Sequence, residues 1–298
     1  MQRRLRNAWE WIIERITQIA GIATIVFVLL IFFFLLRDSL AVLQHATMAD
    51  ILAGTRWSPT FEPSHFGMVP LMLGTLYVTI GAMIIGIPLG VACAVFVAEV
   101  APGWMQEVLK PAVELLAAIP SVVYGFLGLL MLGPWLADIL NLPVGQFAAL
   151  GSLILAFMAM PTIVSVSEDA IRAVPFALRQ SSWALGATRW QTISRVTLPA
   201  ARSGIIAAVM LGLGRAIGET MTVLMVTGNA AVMPEGLKGF WRPVRTMTAT
   251  IAAEMGETAH GSPHYHALFM VGLILFVITF LINTIADIVV RRAGGVKT

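Results

Sequence analysis

Cysteine is almost missing: Cys93 is the only one in the chain. That excludes an intrachain disulfide and any cysteine-based metal cluster. Charge is scarce as well, at 12% of residues, where a soluble domain carries about a quarter. There is no G-x-x-x-x-G-K-[ST] phosphate loop, so nothing here holds ATP for hydrolysis. No Gly-x-Ser-x-Gly occurs and no histidine falls inside a predicted helix, which leaves an intramembrane hydrolase without its nucleophile or its metal ligands.

Apolar sequence takes the place of what is missing. The chain is 58% hydrophobic, and its mean hydropathy is +0.86. Charge-free stretches run over 16–36, 63–98, 115–137, 139–167 and 258–286. Each reaches the roughly 20 residues that a spanning helix needs. A sixth, 203–231, spans if Arg215 and Glu219 are tolerated at depth. The expected fold class is an all-α integral membrane protein with six transmembrane helices. The first stretch follows the basic start "MQRRLR". It is longer than the 7–15 apolar residues of a signal peptide, so a retained helix is expected.

Lysine and arginine placement orients the bundle. With the N-terminus inside, the inner side receives Arg3, Arg4, Arg6, Arg15, Lys110, Arg172, Arg179, Arg189, Arg195, Arg202, Arg291, Arg292 and Lys297. The outer side holds Arg37, Arg56, Lys238, Arg242 and Arg245. Thirteen against five puts both termini in the cytoplasm. The net charge of +3 therefore reflects topology and lends no support to nucleic-acid binding. The expected organisation is a cytoplasmic start and first helix (1–38), a periplasmic segment (39–69), a five-helix core (70–290) and a cytoplasmic tail (291–298). Pro120 is expected to kink the third helix.

The longest inner segment, 168–202, reads "EDAIRAVPFALRQSSWALGATRWQTISRVTLPAAR". Helix–helix connections usually need 2–8 residues. This one is far longer and holds two short helical patterns, separated by Gly186 and ended by Pro199. Its five arginines suit either a docking surface for a soluble partner or a basic segment resting on anionic lipid head groups.

The same stretch resembles the cytoplasmic signature of binding-protein-dependent ABC import permeases: E-A-A, three residues, Gly, nine residues, Ile-x-Leu-Pro. Gln180, Ser181 and Ser182 stand at the E-A-A place, Gly186 at the glycine, and Val196-Thr197-Leu198-Pro199 at the end. The resemblance implies a type I ABC importer permease fold in which this segment forms coupling helices that fit a groove on an ATPase. Gln180 departs from the usual glutamate and removes one charge from that contact. "GLGRAIGETMTVLMVTGN" (212–229) and "VGLILFVITF" (271–280) narrow the likeness to the C-type permease of phosphate-specific importers. That implies an A-type permease as heterodimeric partner, a homodimer of ATP-binding subunits and a periplasmic phosphate-binding protein. It also implies a bacterial inner membrane, phosphate as cargo, no cofactor and no metal.

Arg215 lies eleven residues beyond Gly204, about 16 Å along a helix, near the middle of a hydrocarbon core about 30 Å thick. Glu219 is four residues on, placed to pair with it, and Thr222 continues the stripe. Gly214 and Gly218 form a G-x-x-x-G pattern that admits a close helix neighbour. A charge this deep costs at least about 2.5 kcal/mol and usually marks a pathway. Two readings stand: an ion pair that only holds the bundle, or a pathway in which Arg215 attracts the anion and Glu219 compensates it. Buried ion pairs rarely stabilise more than apolar ones, and an arginine fork suits phosphate oxygens. Both points favour the pathway.

Glu114, Ser121 and Tyr124 around Pro120 are weaker candidates, read mainly as structural. His260, His264 and His266 cluster in "HGSPHYH", but no acid or cysteine completes a metal set. Glu254 and Glu257 are assigned to the docking surface for the binding protein or to solvent. A secondary anion transporter or channel would also want a deep arginine, yet has no use for a coupling segment. Other oxyanions (sulfate, molybdate, phosphonate) remain rival cargo.

Overall fold

The computed structural model describes residues 2–293. The last five residues of the expected tail, Lys297 among them, lie outside them. The first helix, α1 (Gln2–Leu40), is 39 residues long. That is about 58 Å, well beyond a bilayer core. It leans on one neighbour, through Phe32–Phe276 and Phe34–Phe269 ring contacts, each at 5.5 Å. The outer segment then folds back. It contains α2 (Met48–Ala53), capped by Thr47 with Asp50 as its reciprocal partner, and a small antiparallel pair, β1 (Trp57–Ser58) and β2 (His65–Phe66).

The second crossing is α3 (Val69–Val95), continued by a π-helical turn over Phe96–Val100. Next come α4 (Gly103–Ala118), α5 (Ser121–Leu127), a π turn at Gly128–Leu132 and α6 (Gly133–Leu140). Where a kink was expected at Pro120, the chain breaks. Ile119 is extended, α4 ends before it, and the third crossing starts afresh at Ser121. The proline removes a donor and pushes the preceding residue out of helix, and nothing restores it here.

The fourth crossing, α7 (Ala148–Arg172), is the central post. It takes Glu168–Arg172 out of the expected coupling segment and makes them helical. That segment proper holds α8 (Phe176–Ala184), α9 (Arg189–Thr192), a π turn at Ile193–Thr197 and α10 (Leu198–Ala200). After a bend of 69° comes α11 (Arg202–Gly218), then α12 (Met221–Val226). The outer loop carries α13 (Met247–Glu254), and α14 (Pro263–Ala293) closes the chain.

Among the described residues, five helical stretches are long and apolar enough to cross a membrane: Glu10–Gln44, Val69–Val100, Ser121–Leu140, Ala148–Arg172 and Pro263–Arg292. A sixth follows when α11 is counted with the element it bends from. Glycine lets α3 lie flat on α7. A Cβ on Gly81 would come within 2.4 Å of Ser152 Oγ, and one on Gly90 within 2.8 Å of Ile163. The main core is built on this seam from Phe147, Leu150, Ile154, Met158 and Ile163, joined by Val223 and Val226 of α12. A second core at the outer end locks Ile51, Trp57, Met68 and Leu71 against Met247, Leu268 and Met270.

Candidate translocation path and coupling surface

Arg215 sits in the last turn of α11 and is exposed in the isolated chain. Its one hydrogen bond is long, Nη1 to Thr162 Oγ1 of α7 at 3.4 Å. The expected pairing with Glu219 is absent. Residues four apart share a face only while the helix lasts, and α11 stops at Gly218. Glu219 is extended, and its carbonyl accepts from Thr248 Oγ1 of α13 at 2.9 Å. Its carboxylate instead accepts from the Thr222 backbone N–H at 3.3 Å, at the start of α12, where the helix dipole favours a negative charge. The two charges of the stripe are thus separated by a helix break.

Thr222 is likewise not on an open face. It is fully buried, and its hydroxyl donates to the Ser121 carbonyl at 2.9 Å while touching Met158 Sδ at 3.2 Å. It clamps the start of α12 to the start of α5, which Gly125 allows by admitting the Thr222 backbone. The expected G-x-x-x-G contact shifts too. Gly214 meets Asn283 only at ordinary distance and Gly218 meets nothing, whereas Gly212 packs tightly on Ile163. Tyr124 stands within electrostatic reach of Arg215, and its hydroxyl donates to the Leu116 carbonyl at 3.0 Å, bridging the Pro120 break. Thr162 was not visible as a candidate, since a lone threonine in an apolar span carries no signal of its own.

At the end of the bundle where α7 finishes, the segment expected to couple to an ATPase is an ordered hairpin of short helices. Gly186 turns it with φ +79°, a left-handed conformation that a side chain would strain. Thr188 caps α9 with Gln191 as its reciprocal partner. Ser182 is buried and its hydroxyl lies 2.9 Å from that of Thr192, tying α8 to α9. Leu198 joins a small inner core with Ala94, Val164, Ile171 and Val174. Gln180, Ser181, Gly186 and Pro199 face outward. So do Leu185, 88% exposed at the tip, and Trp190 at 66%. Trp183 and Phe176 stack edge-on beside them. This apolar tip was not singled out in sequence, although the alternation of Trp and Leu with polar residues carries it.

The base of the hairpin is ionic. Arg179 of α8 pairs with Glu99 of the α3 π turn at 2.7 Å. Close by, Lys110 of α4 bridges Glu168 at 2.9 Å and Asp169 at 2.8 Å, with Arg172 on the other side of Glu168. The Lys110 amine is raised above its usual 10.5, first by the Asp169 hydrogen bond and then by that of Glu168. A raised lysine contributes stability that is complete below its unfolded value and fades as pH climbs through the folded one. Asp169 shares the Lys110 hydrogen bond, so the latch between α4 and α7 holds across the neutral range, fading in alkali as Lys110 loses its proton and in acid as Asp169 gains one.

On the outer side, the Glu254 carboxylate is engaged within the chain and is not simply solvated. Its carboxylate accepts from Trp57 Nε1 at 3.1 Å and meets His264 Nε2 at 2.8 Å. Arg245 forms an ion pair with it as well. The knot pins the outer segment to α13 and α14. His266 instead hydrogen-bonds the Asp38 carbonyl at 2.9 Å. Among the described residues no group of histidine, cysteine and carboxylates is arranged to hold a metal.

Residues 86–295 match the family described as the binding-protein-dependent transport system inner membrane component. A probable ABC transporter permease, YqgH of Bacillus subtilis, is 43% identical over 78% of this chain and 74% of its own length. The phosphate transport system permease protein PstC of Mesorhizobium japonicum is 38% identical over 82% of this chain and 78% of its own. A PstC of Mycobacterium tuberculosis is 37% identical over 78% of this chain and 74% of its own. Among solved structures, a bacterial alginate ABC transporter superposes with a TM-score of 0.65, covering 97% of this chain and 99% of the other at 19% identity. The inward-facing MetNI methionine ABC transporter gives 0.60 over 76% and 95% at 21% identity. Helix breaks, short inner helices and these similarities converge: the chain belongs to the inner membrane permease family of binding-protein-dependent ABC importers.

Proposed function

We propose that this chain is a membrane-spanning permease subunit of an ATP-driven inorganic phosphate importer. It provides part of the translocation path and connects it to a separate ATPase. The observation that carries the reading is Arg215: a guanidinium at membrane depth whose fork is left almost entirely unclaimed by its own chain. Relatives over most of the chain carry the name phosphate transport permease, and a fork of N–H donors fits the oxygens of that anion. One long hydrogen bond to Thr162 keeps Arg215 oriented, while Glu219, withdrawn to the start of α12, tempers the local positive potential. Such a site attracts an anion without holding it tightly. Thr222, expected on the path, has its hydroxyl engaged with the Ser121 carbonyl and is assigned to the scaffold that fixes the break.

The chain has no phosphate loop, so hydrolysis is assigned to a separate ATP-binding homodimer that receives the exposed tip Trp183–Leu185–Trp190. An A-type permease completes the path as heterodimeric partner, and a periplasmic phosphate-binding protein delivers cargo. Both termini are assigned to the cytoplasmic side from the thirteen-to-five bias of basic residues. The mechanism is alternating access: the ATPase dimer closes, the hairpin moves, and the crossings re-seat around Arg215.

Uptake of radiolabelled phosphate tests this in cells where the chain is the sole permease of its type. Wild type, Arg215→Gln and Gly186→Glu are compared at matched membrane levels. Loss of uptake in both variants is expected, with unlabelled phosphate competing in the wild type and sulfate or molybdate not. Normal uptake by Arg215→Gln would remove the arginine from the path. Competition by sulfate would reassign the cargo.

A further inference from the structure

Four helices meet around one ion pair, Glu99 with Arg179. Glu99 lies in the π turn that ends the second crossing. Its Oε1 accepts from Arg179 Nε at 3.1 Å and from Nη2 at 2.7 Å. The same guanidinium donates through Nη1 to the Val174 carbonyl at 2.6 Å and through Nη2 to the Ile171 carbonyl at 2.9 Å. These carbonyls lie in the last turn of α7 and just beyond it, where helical partners run out, although Ile171 also accepts from the Val174 N–H at 3.3 Å. Arg189 of α9 donates to the Glu99 backbone carbonyl. Both side chains of the Glu99–Arg179 pair are only 12% exposed.

The hairpin is therefore tied sideways to α3 and α7 by this polar junction, and its two halves are tied to each other by Ser182 and Thr192. Its covalent exit runs through a π turn and a 69° bend before α11 begins, and packs there through apolar contacts of Leu198 and Ala201 with Ala94, Val164 and Ile171. Apolar packing is non-directional, whereas a forked guanidinium with several fixed acceptors holds one geometry as it moves. An apolar pair here would stabilise as well, so stability does not explain a dry ion pair at this place.

We propose that Glu99 and Arg179 are positioning residues that carry the movement of the coupling hairpin laterally into α3 and α7, ahead of any motion passed along the chain into α11. The inference rests on the reading that an ATPase drives this hairpin. It assigns the coupling function to two residues outside the signature stretch, one of them eighty positions away in sequence.

The test uses the whole transporter, reconstituted in vesicles with its ATPase and binding protein, with uptake and ATP hydrolysis read from the same sample. Glu99→Ala is expected to keep hydrolysing ATP while the amount of oxyanion carried per ATP falls about tenfold, within the usual range of coupling factors. Arg179→Lys, which keeps the charge and loses the fork, should fall between. Parallel loss of uptake and hydrolysis, with the ratio unchanged, would overturn the proposal and make the pair a plain anchor. Should Glu99→Ala fail to assemble, Glu99→Gln retains an acceptor oxygen and must still lower the ratio. An unchanged ratio in that variant overturns the proposal equally. A wild-type complex that carries sulfate but not phosphate would sink the cargo assignment and leave this ratio measurable with sulfate.

Discussion

Arg179 and Arg215 are thirty-six residues apart and receive opposite treatment. Arg179 has every arm of its guanidinium engaged, with Glu99 and two backbone carbonyls as fixed acceptors. Arg215 reaches one threonine hydroxyl at 3.4 Å and otherwise faces away from its own chain. A fold that can saturate one arginine so fully could have done the same for the other, at the site where an unsatisfied charge costs most. The contrast separates a cation that builds the protein from a cation held ready for something else.

The sharpest way to break this contrast is to neutralise each arginine and read stability and transport separately. Arg179→Gln leaves Glu99 buried without its partner, and breaking such a pair costs about 3 kcal/mol or more. Thermal unfolding of the detergent-solubilised chain should register a drop of several degrees. Arg215→Gln should leave that unfolding unchanged or slightly raised, because it removes a membrane-depth charge, while abolishing uptake. If Arg215→Gln proves the more destabilised of the two, the contrast collapses and Arg215 is structural. A smaller effect is expected at the hairpin tip. Gly186→Ala forces a side chain into left-handed backbone, at about 1–2 kcal/mol, and should weaken capture of the purified ATPase about tenfold with the crossings intact. The smallest belongs to Arg242, which meets Glu235 at 3.5 Å with both side chains more than half exposed. Arg242→Ala should shift stability by less than about 1 kcal/mol, marking the floor against which Arg179 is judged.

The crossings were legible because hydropathy alone dictates them, and α3, α7 and α14 fall where the charge-free stretches lie. The turn of the hairpin was legible from Gly186, whose local chemistry needs no tertiary help, but Pro199, expected to end the second piece, lies inside α10 and the chain bends only beyond Ala200. The breaks were less so. Pro120 announces a disturbance, but whether a helix bends or stops depends on what satisfies the freed groups, and Tyr124 does that from beyond the break. The stop at Gly218 gives even less notice. It is set by Thr248 reaching the Glu219 carbonyl from a helix nearly thirty residues on, and that contact has no signature in either segment. For the same reason Arg215 stands out in the sequence while its contact with Thr162 does not: position along an apolar stretch is a property of one segment, pairing a property of two. Glu254 misled in the opposite sense, since an outer-loop carboxylate looks solvated until Trp57, Arg245 and His264 are folded around it.

The interruption at Glu219 also bears on how the chain is made. Because α11 stops at Gly218, after 17 residues, it is too short and, with Arg215 aboard, too polar to enter a bilayer readily by itself. Its main lodging place, α7, precedes it in the order of synthesis, and Gly212 fits the Ile163 side of that helix, whereas α14 packs on it afterwards. The order along the chain thus lets the reluctant segment emerge after the post that receives it.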